Sequence, residues 1–118
     1  MSKEEIVKRS KINIEVGLDK DKMPIHLAWK ATEEGMDRPA EECKAFLLSI
    51  FDRDNKDTLR IDLWTKDMQV MEMDRFFYQT LRSMADTYFR ATQNQQMATE
   101  MQKFVQYFGE QTEILPKQ

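Results

Sequence analysis

The sequence predicts an α+β fold: a four-stranded antiparallel sheet made of two β-hairpins, followed by two C-terminal helices packed on one face. Three observations predict it. Apolar and polar residues alternate along residues 11–29, the period of a half-buried strand. A second pair of β-rich segments brackets the turn Arg53-Asp54-Asn55-Lys56-Asp57. From Val70 the apolar period lengthens to three and four residues, which is helical.

Residues 1–10 are charged and pattern-poor and read as a flexible N-terminal tail. Residues 11–113 form a single α+β domain in this reading, and 114–118 a C-terminal tail. The first strand carries Ile12, Ile14, Val16 and Leu18 on one face. After Asp19-Lys20-Asp21-Lys22 the alternation resumes with Met23, Ile25, Leu27 and Trp29. A turn centred on Lys20-Asp21 sets Leu18 opposite Met23, Val16 opposite Ile25, Ile14 opposite Leu27 and Ile12 opposite Trp29. All eight then share one face, and Trp29 reads as core. Pro24 cannot donate a ladder hydrogen bond, so this strand lies at an edge or starts irregularly. Residues 31–42, with Gly35 and Pro39 among charges, read as a surface connection, Pro39–Glu42 as one helical turn.

The segment Cys43–Phe51 is apolar on both phases and reads as one strand covered on two sides. Asp and Asn in its turn tolerate the left-handed backbone such turns need. With Asp54-Asn55 at the centre, Ile50 faces Leu59, Leu48 faces Ile61 and Phe46 faces Leu63. The opposite face then pairs Phe51 with Thr58, Ser49 with Arg60, Leu47 with Asp62 and Ala45 with Trp64. One face is wholly apolar and the other mixed. Two helices can cover only the first, so Leu47, Ser49, Phe51, Arg60, Asp62 and Trp64 form the candidate contact face for a protein partner, self-association included. Trp64 ends its strand there, where it either closes the edge of the core or anchors a partner.

Val70, Met73, Phe77, Leu81, Met84 and Tyr88 make a helical stripe about 34 Å long at 1.5 Å per residue, with Asp67 as its cap. No Gly or Pro separates it from the C-terminal segment, but extending the stripe would place Gln95 and Gln102 on the apolar face. The polar run Thr92-Gln93-Asn94-Gln95-Gln96, with a capping-box pair at Thr92 and Gln95, therefore marks a break. A fresh stripe runs through Met97, Met101, Phe104, Val105 and Phe108.

With 118 residues the chain suits one domain whose core needs no metal or disulfide. Its 18 basic and 21 acidic residues leave a formal charge of −3, which argues against a nucleic-acid partner. A lone cysteine, Cys43, cannot form an internal disulfide. The N-terminal residues lack the apolar run of a signal peptide, and Ala45–Leu48 falls far short of a membrane span. The expected location is the cytoplasm. Nine methionines read as pliable core filler.

Catalytic signals are lacking. His26 falls on the polar face of its strand, opposite Glu15 in the register above, and reads as a surface histidine. Asp52–Asp57 fails as a calcium loop: Lys56 takes a ligand position, Asp57 the required glycine, and Leu63 the place of the bidentate glutamate. No catalytic residues, metal or cofactor are expected. The alternative to a protein-binding role is a small-molecule site in an apolar pocket between sheet and helices, lined by Met84, Tyr88, Phe104 and Tyr107.

Several of these segments together resemble one family. Glu42-Cys43-Lys44-Ala45-Phe46, the Asp/Asn/Lys turn, Thr58-Leu59-Arg60-Ile61-Asp62-Leu63-Trp64-Thr65-Lys66-Asp67-Met68, Met84-Ala85-Asp86 and Ala91-Thr92 look like the GldC family of small cytoplasmic gliding-motility proteins, over roughly residues 11–108. The chain departs from the family pattern at Cys43 and Met71. The resemblance implies a non-enzymatic accessory or adapter of bacterial gliding motility, linked functionally to the lipoprotein GldB. Partners would belong to the gliding and secretion machinery, near the inner membrane's cytoplasmic side.

Overall fold

The computed structural model describes residues 4–33 and 35–116. The expected tails at 1–10 and 114–118 lie partly outside the described residues. The chain divides into two compact units, with the boundary between Met68 and Gln69. The first holds the strands and the second the helices.

The first unit contains β1 (Ser10–Leu18), β2 (Pro24–Glu33), β3 (Glu41–Cys43), β4 (Ala45–Phe51) and β5 (Thr58–Trp64). These make two sheets, three-stranded β1-β2-β3 and two-stranded β4-β5, rather than the single four-stranded sheet expected. The cause lies at Lys44. The segment expected as one strand from Cys43 breaks there: Glu41–Cys43 pairs with β2, and Ala45–Phe51 pairs with β5. The extra strand also replaces the helical turn expected at Pro39–Glu42. The break is held by β5's exit, since the Thr65 backbone N–H donates to the Lys44 carbonyl at 2.8 Å.

The β1–β2 hairpin keeps the expected faces in a different register. Val16 lies opposite Leu27, Ile14 opposite Trp29 and Ile12 opposite Ala31, a slip of two residues. Two devices add one residue each. The turn closes between Asp19 and Met23, with Lys22 left-handed at φ 63°, a three-residue loop. Alone it would flip every side chain to the other face. A register shift between Gly17 and Leu18 restores the phase. Asp19 sets the loop by accepting the Asp21 and Met23 backbone N–H groups at 2.8 and 3.0 Å. In this register His26 lies opposite Gly17, not Glu15, and its Nδ1 is 3.8 Å from Glu42.

Leu27 is the deepest residue of the three-stranded sheet at 1% exposed. Around it the apolar row stays open: Ile12, Ile14, Val16, Leu18, Ile25 and Trp29 are all exposed. Trp29, expected in the core, is 41% exposed, so the strand unit itself does not bury it.

The β4–β5 register agrees with expectation at all seven pairs, from Ala45–Trp64 to Phe51–Thr58. Its turn differs in detail. Lys56 takes the left-handed backbone, at φ 61°. The acidic and amide side chains act as acceptors instead: Asp52 Oδ2 takes the Asp54 and Asn55 N–H groups at 3.0 and 2.9 Å, and Asn55 Oδ1 takes that of Asp57 at 2.8 Å.

The second unit is a helical hairpin of α1 (Val70–Thr92) and α2 (Gln95–Gln111). The break falls where the polar run placed it, with Gln93 left-handed at φ 60°. The caps are not those expected. Asp67 instead accepts from Thr65, and Gln69 precedes α1, its N–H bonded to Glu72 at 3.0 Å. Asn94 caps α2 by accepting the Met97 N–H at 3.1 Å, while Thr92 ends α1. The buried seam is built of small residues, Ala85, Ala98, Val105 and Gly109; of the two expected stripes only Val105 is fully buried in it. Met84, Met97 and Phe104 are exposed. A small-residue seam lets two helix backbones approach closely.

Candidate functional site

Leu47, Ser49 and Phe51 alternate along β4, opposite Asp62, Arg60 and Thr58 of β5, and Trp64 lies opposite Ala45. Strand alternation therefore sets all six candidate residues on one face. They are not sealed within the unit: Phe51 is 67% exposed, Trp64 53%, Ser49, Arg60 and Asp62 are exposed, and Leu47 is half-buried.

Across the middle runs a polar strip. The Arg60 guanidinium grips Asp62 at two points, Nε to Oδ2 at 3.2 Å and Nη2 to Oδ1 at 2.9 Å, and its Nη1 donates to Ser49 Oγ. Arginine's fixed fork suits such a bidentate grip. Charge is neutralised in place, so docking a partner over this strip would desolvate a paired ion, not a lone one. The two aromatic side chains bracket the strip. Trp64 lies six residues along β5 from Thr58, the neighbour of Phe51, a span of about 20 Å at 3.3 Å per residue.

The end of β5 is held by Thr65, Lys66 and Asp67, of which the sequence reading gave a structural role only to Asp67, as a helix cap. Thr65 is buried, at 4% exposed, directly after the exposed Trp64. Its hydroxyl donates to Asp67 Oδ1 at 2.5 Å and lies 3.3 Å from the Lys44 carbonyl. That hydrogen bond, with the nearby Lys44 ammonium, holds the Asp67 carboxyl below the usual aspartate range. Next along, the Lys66 N–H donates to the Pro24 carbonyl at 3.1 Å, and its ammonium meets Asp19 Oδ2 at 2.7 Å. The Lys66 contact and the turn N–H of Met23 pull the Asp19 carboxyl down as well. The clue lay in Thr65-Lys66-Asp67 directly after a strand, a hydroxyl–acid spacing suited to local turns.

Of the four residues expected to line a ligand pocket, Met84 and Tyr88 share a shallow hollow on the helical hairpin with Phe76 and Met101. Phe104 and Tyr107 are exposed on α2, their rings 6.3 Å apart. Cys43 is half-buried at the end of β3. Among the described residues no three His, Cys, Asp or Glu side chains converge as a metal-ligand set. No helix among them is long and apolar enough to cross a membrane.

No curated protein and no solved structure matches this chain. Residues 24–114 match the family described as gliding motility-associated protein GldC-like. That span takes in β2 to α2 and the whole β4–β5 face, but begins after β1, later than the likeness read from the sequence. The chain belongs to the GldC-like family of gliding motility-associated proteins.

Proposed function

We propose that this chain is a non-enzymatic adapter of bacterial gliding motility that docks a protein of the gliding or secretion machinery on the cytoplasmic side. Its contact face is Leu47, Ser49, Phe51, Arg60, Asp62 and Trp64. One observation carries the reading: two large aromatic side chains stand exposed at the ends of one sheet face, with a self-neutralised Arg60–Asp62–Ser49 strip between them. Family membership supports the biological setting, and the lipoprotein GldB is the first partner to assay.

The test replaces Phe51 and Trp64 with Asp. Both are exposed, so circular dichroism of the double variant should match the parent. Capture of motility-machinery proteins from a gliding bacterium should fall at least tenfold, the loss of a single hot-spot aromatic being about 2 kcal/mol or more. Undiminished capture by a folded double variant would refute the face.

A second reading rests on the hollow lined by Phe76, Met84, Tyr88 and Met101. A small apolar ligand there would raise the melting temperature with the logarithm of the ratio of its concentration to its Kd once that ratio is large. A ligand screen by thermal shift tests it.

A further inference from the structure

The three-stranded sheet ends in β1, nine residues long, with only β2 beside it. An edge of that length normally carries a blunting device such as a proline, an inward charge or a bulge. Here the one irregularity sits at Gly17/Leu18, at the far end, and Ser10–Val16 runs clean. Ile12, at 73% exposed, and Ile14 lie along this edge on the open apolar row. The polar phase carries Lys11, Asn13 and Glu15, all exposed. Lys11 and Glu15 make no ion pair among the described residues, and four residues along a strand separate them by about 13 Å, too far to pair with each other.

We propose that β1 is a homodimer edge, pairing antiparallel with β1 of a second copy about a two-fold axis at Asn13. The occupant follows from charge complementarity. In that register Lys11 faces Glu15 of the second copy and Glu15 faces its Lys11, while Ile12 and Ile14 face each other twice. A two-fold axis makes every contact occur in duplicate, so one strand supplies both halves of its own complement. Neighbouring registers that keep the faces aligned lose this. Centring on Ile14 sets Lys11 against Gly17, and centring on Ile12 sets Ile14 against Ser10. The paired edges give a six-stranded sheet and double the apolar row of Ile12, Ile14, Val16 and Trp29 into one patch. This surface lies on a different sheet from the β4–β5 face, and β1 precedes the family-matched residues.

Sedimentation velocity of the full chain across a dilution series tests the proposal. The parent should run at twice the 14.1 kDa of one chain, and Ile14→Asp should run as a monomer. Lys11→Glu and Glu15→Lys should each weaken the dimer roughly tenfold, since two symmetry-related attractive pairs become repulsive. The double variant Lys11→Glu/Glu15→Lys restores opposite charges and should regain the parent's dimer constant. The Phe51→Asp/Trp64→Asp variant should dimerise like the parent, which separates this edge from the adapter face. A parent that stays monomeric, or a charge swap that fails to rescue the single variants, would overturn the proposal.

Discussion

Replacing Gly109 with Ala should destabilise the helical hairpin, although the same change in an open helix would stabilise it. Alanine is favoured over glycine by about 1 kcal/mol in a helix interior. Gly109 is buried in α2, where a Cβ would sit 2.7 Å from Leu115 Cδ1, 2.8 Å from Tyr78 Cε1 and 2.9 Å from Leu115 Cγ. Carbon atoms pack best at about 3.5–4.0 Å, so Leu115 and Tyr78 must retreat by roughly 1 Å. Leu115 is tied nearby, its N–H bonded to the Gly109 carbonyl at 2.9 Å. Overpacking of this kind costs about 1–3 kcal/mol. Subtracting the propensity gain leaves a net loss of roughly 0–2 kcal/mol. The chain suits the measurement, because both helices lie in one unit. Urea unfolding followed by helical circular dichroism should shift to lower urea. Adding Leu115→Ala should remove two of the three close contacts and leave that with Tyr78, so that Gly109→Ala costs less in that background than in the parent. A Gly109→Ala variant more stable than the parent by about 1 kcal/mol would refute the close approach.

Two further outcomes concern the strand unit. Thr65→Val keeps the shape of a side chain 4% exposed but removes its hydroxyl, and should cost about 1 kcal/mol by the tryptophan-detected transition, while Thr65→Ser keeps the bond to Asp67; an unaltered midpoint in Thr65→Val would show that the hydroxyl is dispensable. Asp19, Asp52 and Asp67 all titrate below an ordinary aspartate, through Lys66, the Asn55 N–H and Thr65 respectively. Folding thus holds these carboxylates deprotonated more firmly than the unfolded chain does. Their contribution is complete above about pH 4 and is lost as pH falls through the lower folded-state values. Melting temperature against pH should decline below about pH 4, and Asp19→Asn/Asp52→Asn/Asp67→Asn should flatten that decline; equal slopes would contradict the assignment.

The register of the second hairpin is legible in the sequence at every pair, because its apolar phase and its Asp–Asn turn agree on one pairing. The start of its first strand and the left-handed residue of its turn are not. The candidate face comes with it: once Ser49 is opposite Arg60, alternation alone sets Leu47, Phe51, Asp62 and Trp64 beside them. The grip of Arg60 on Asp62 is not legible, since side-chain torsions of a long residue leave no trace in spacing. The first hairpin is legible only in its faces. Its two-residue slip arises from a longer loop and a bulge whose effects on phase cancel. The helical break is legible, but its caps are not: Asp67 suits a cap by type, yet Thr65 claims it. Of the small-residue seam only Val105 is legible, because hydrophobic stripes are read from large side chains, whereas close helix approach selects Ala and Gly.

By itself the sequence determined what depends on near neighbours: which residues alternate, where period two gives way to the helical period, where the helix stops, and the motif that marks the family. Only the tertiary structure decided that a run expected as one strand parts at Lys44 and serves two sheets. An extended segment offers the same N–H and C=O groups along its whole length. Which backbone answers them depends on chain that is distant in sequence, here β2 on one side of the break and β5 on the other.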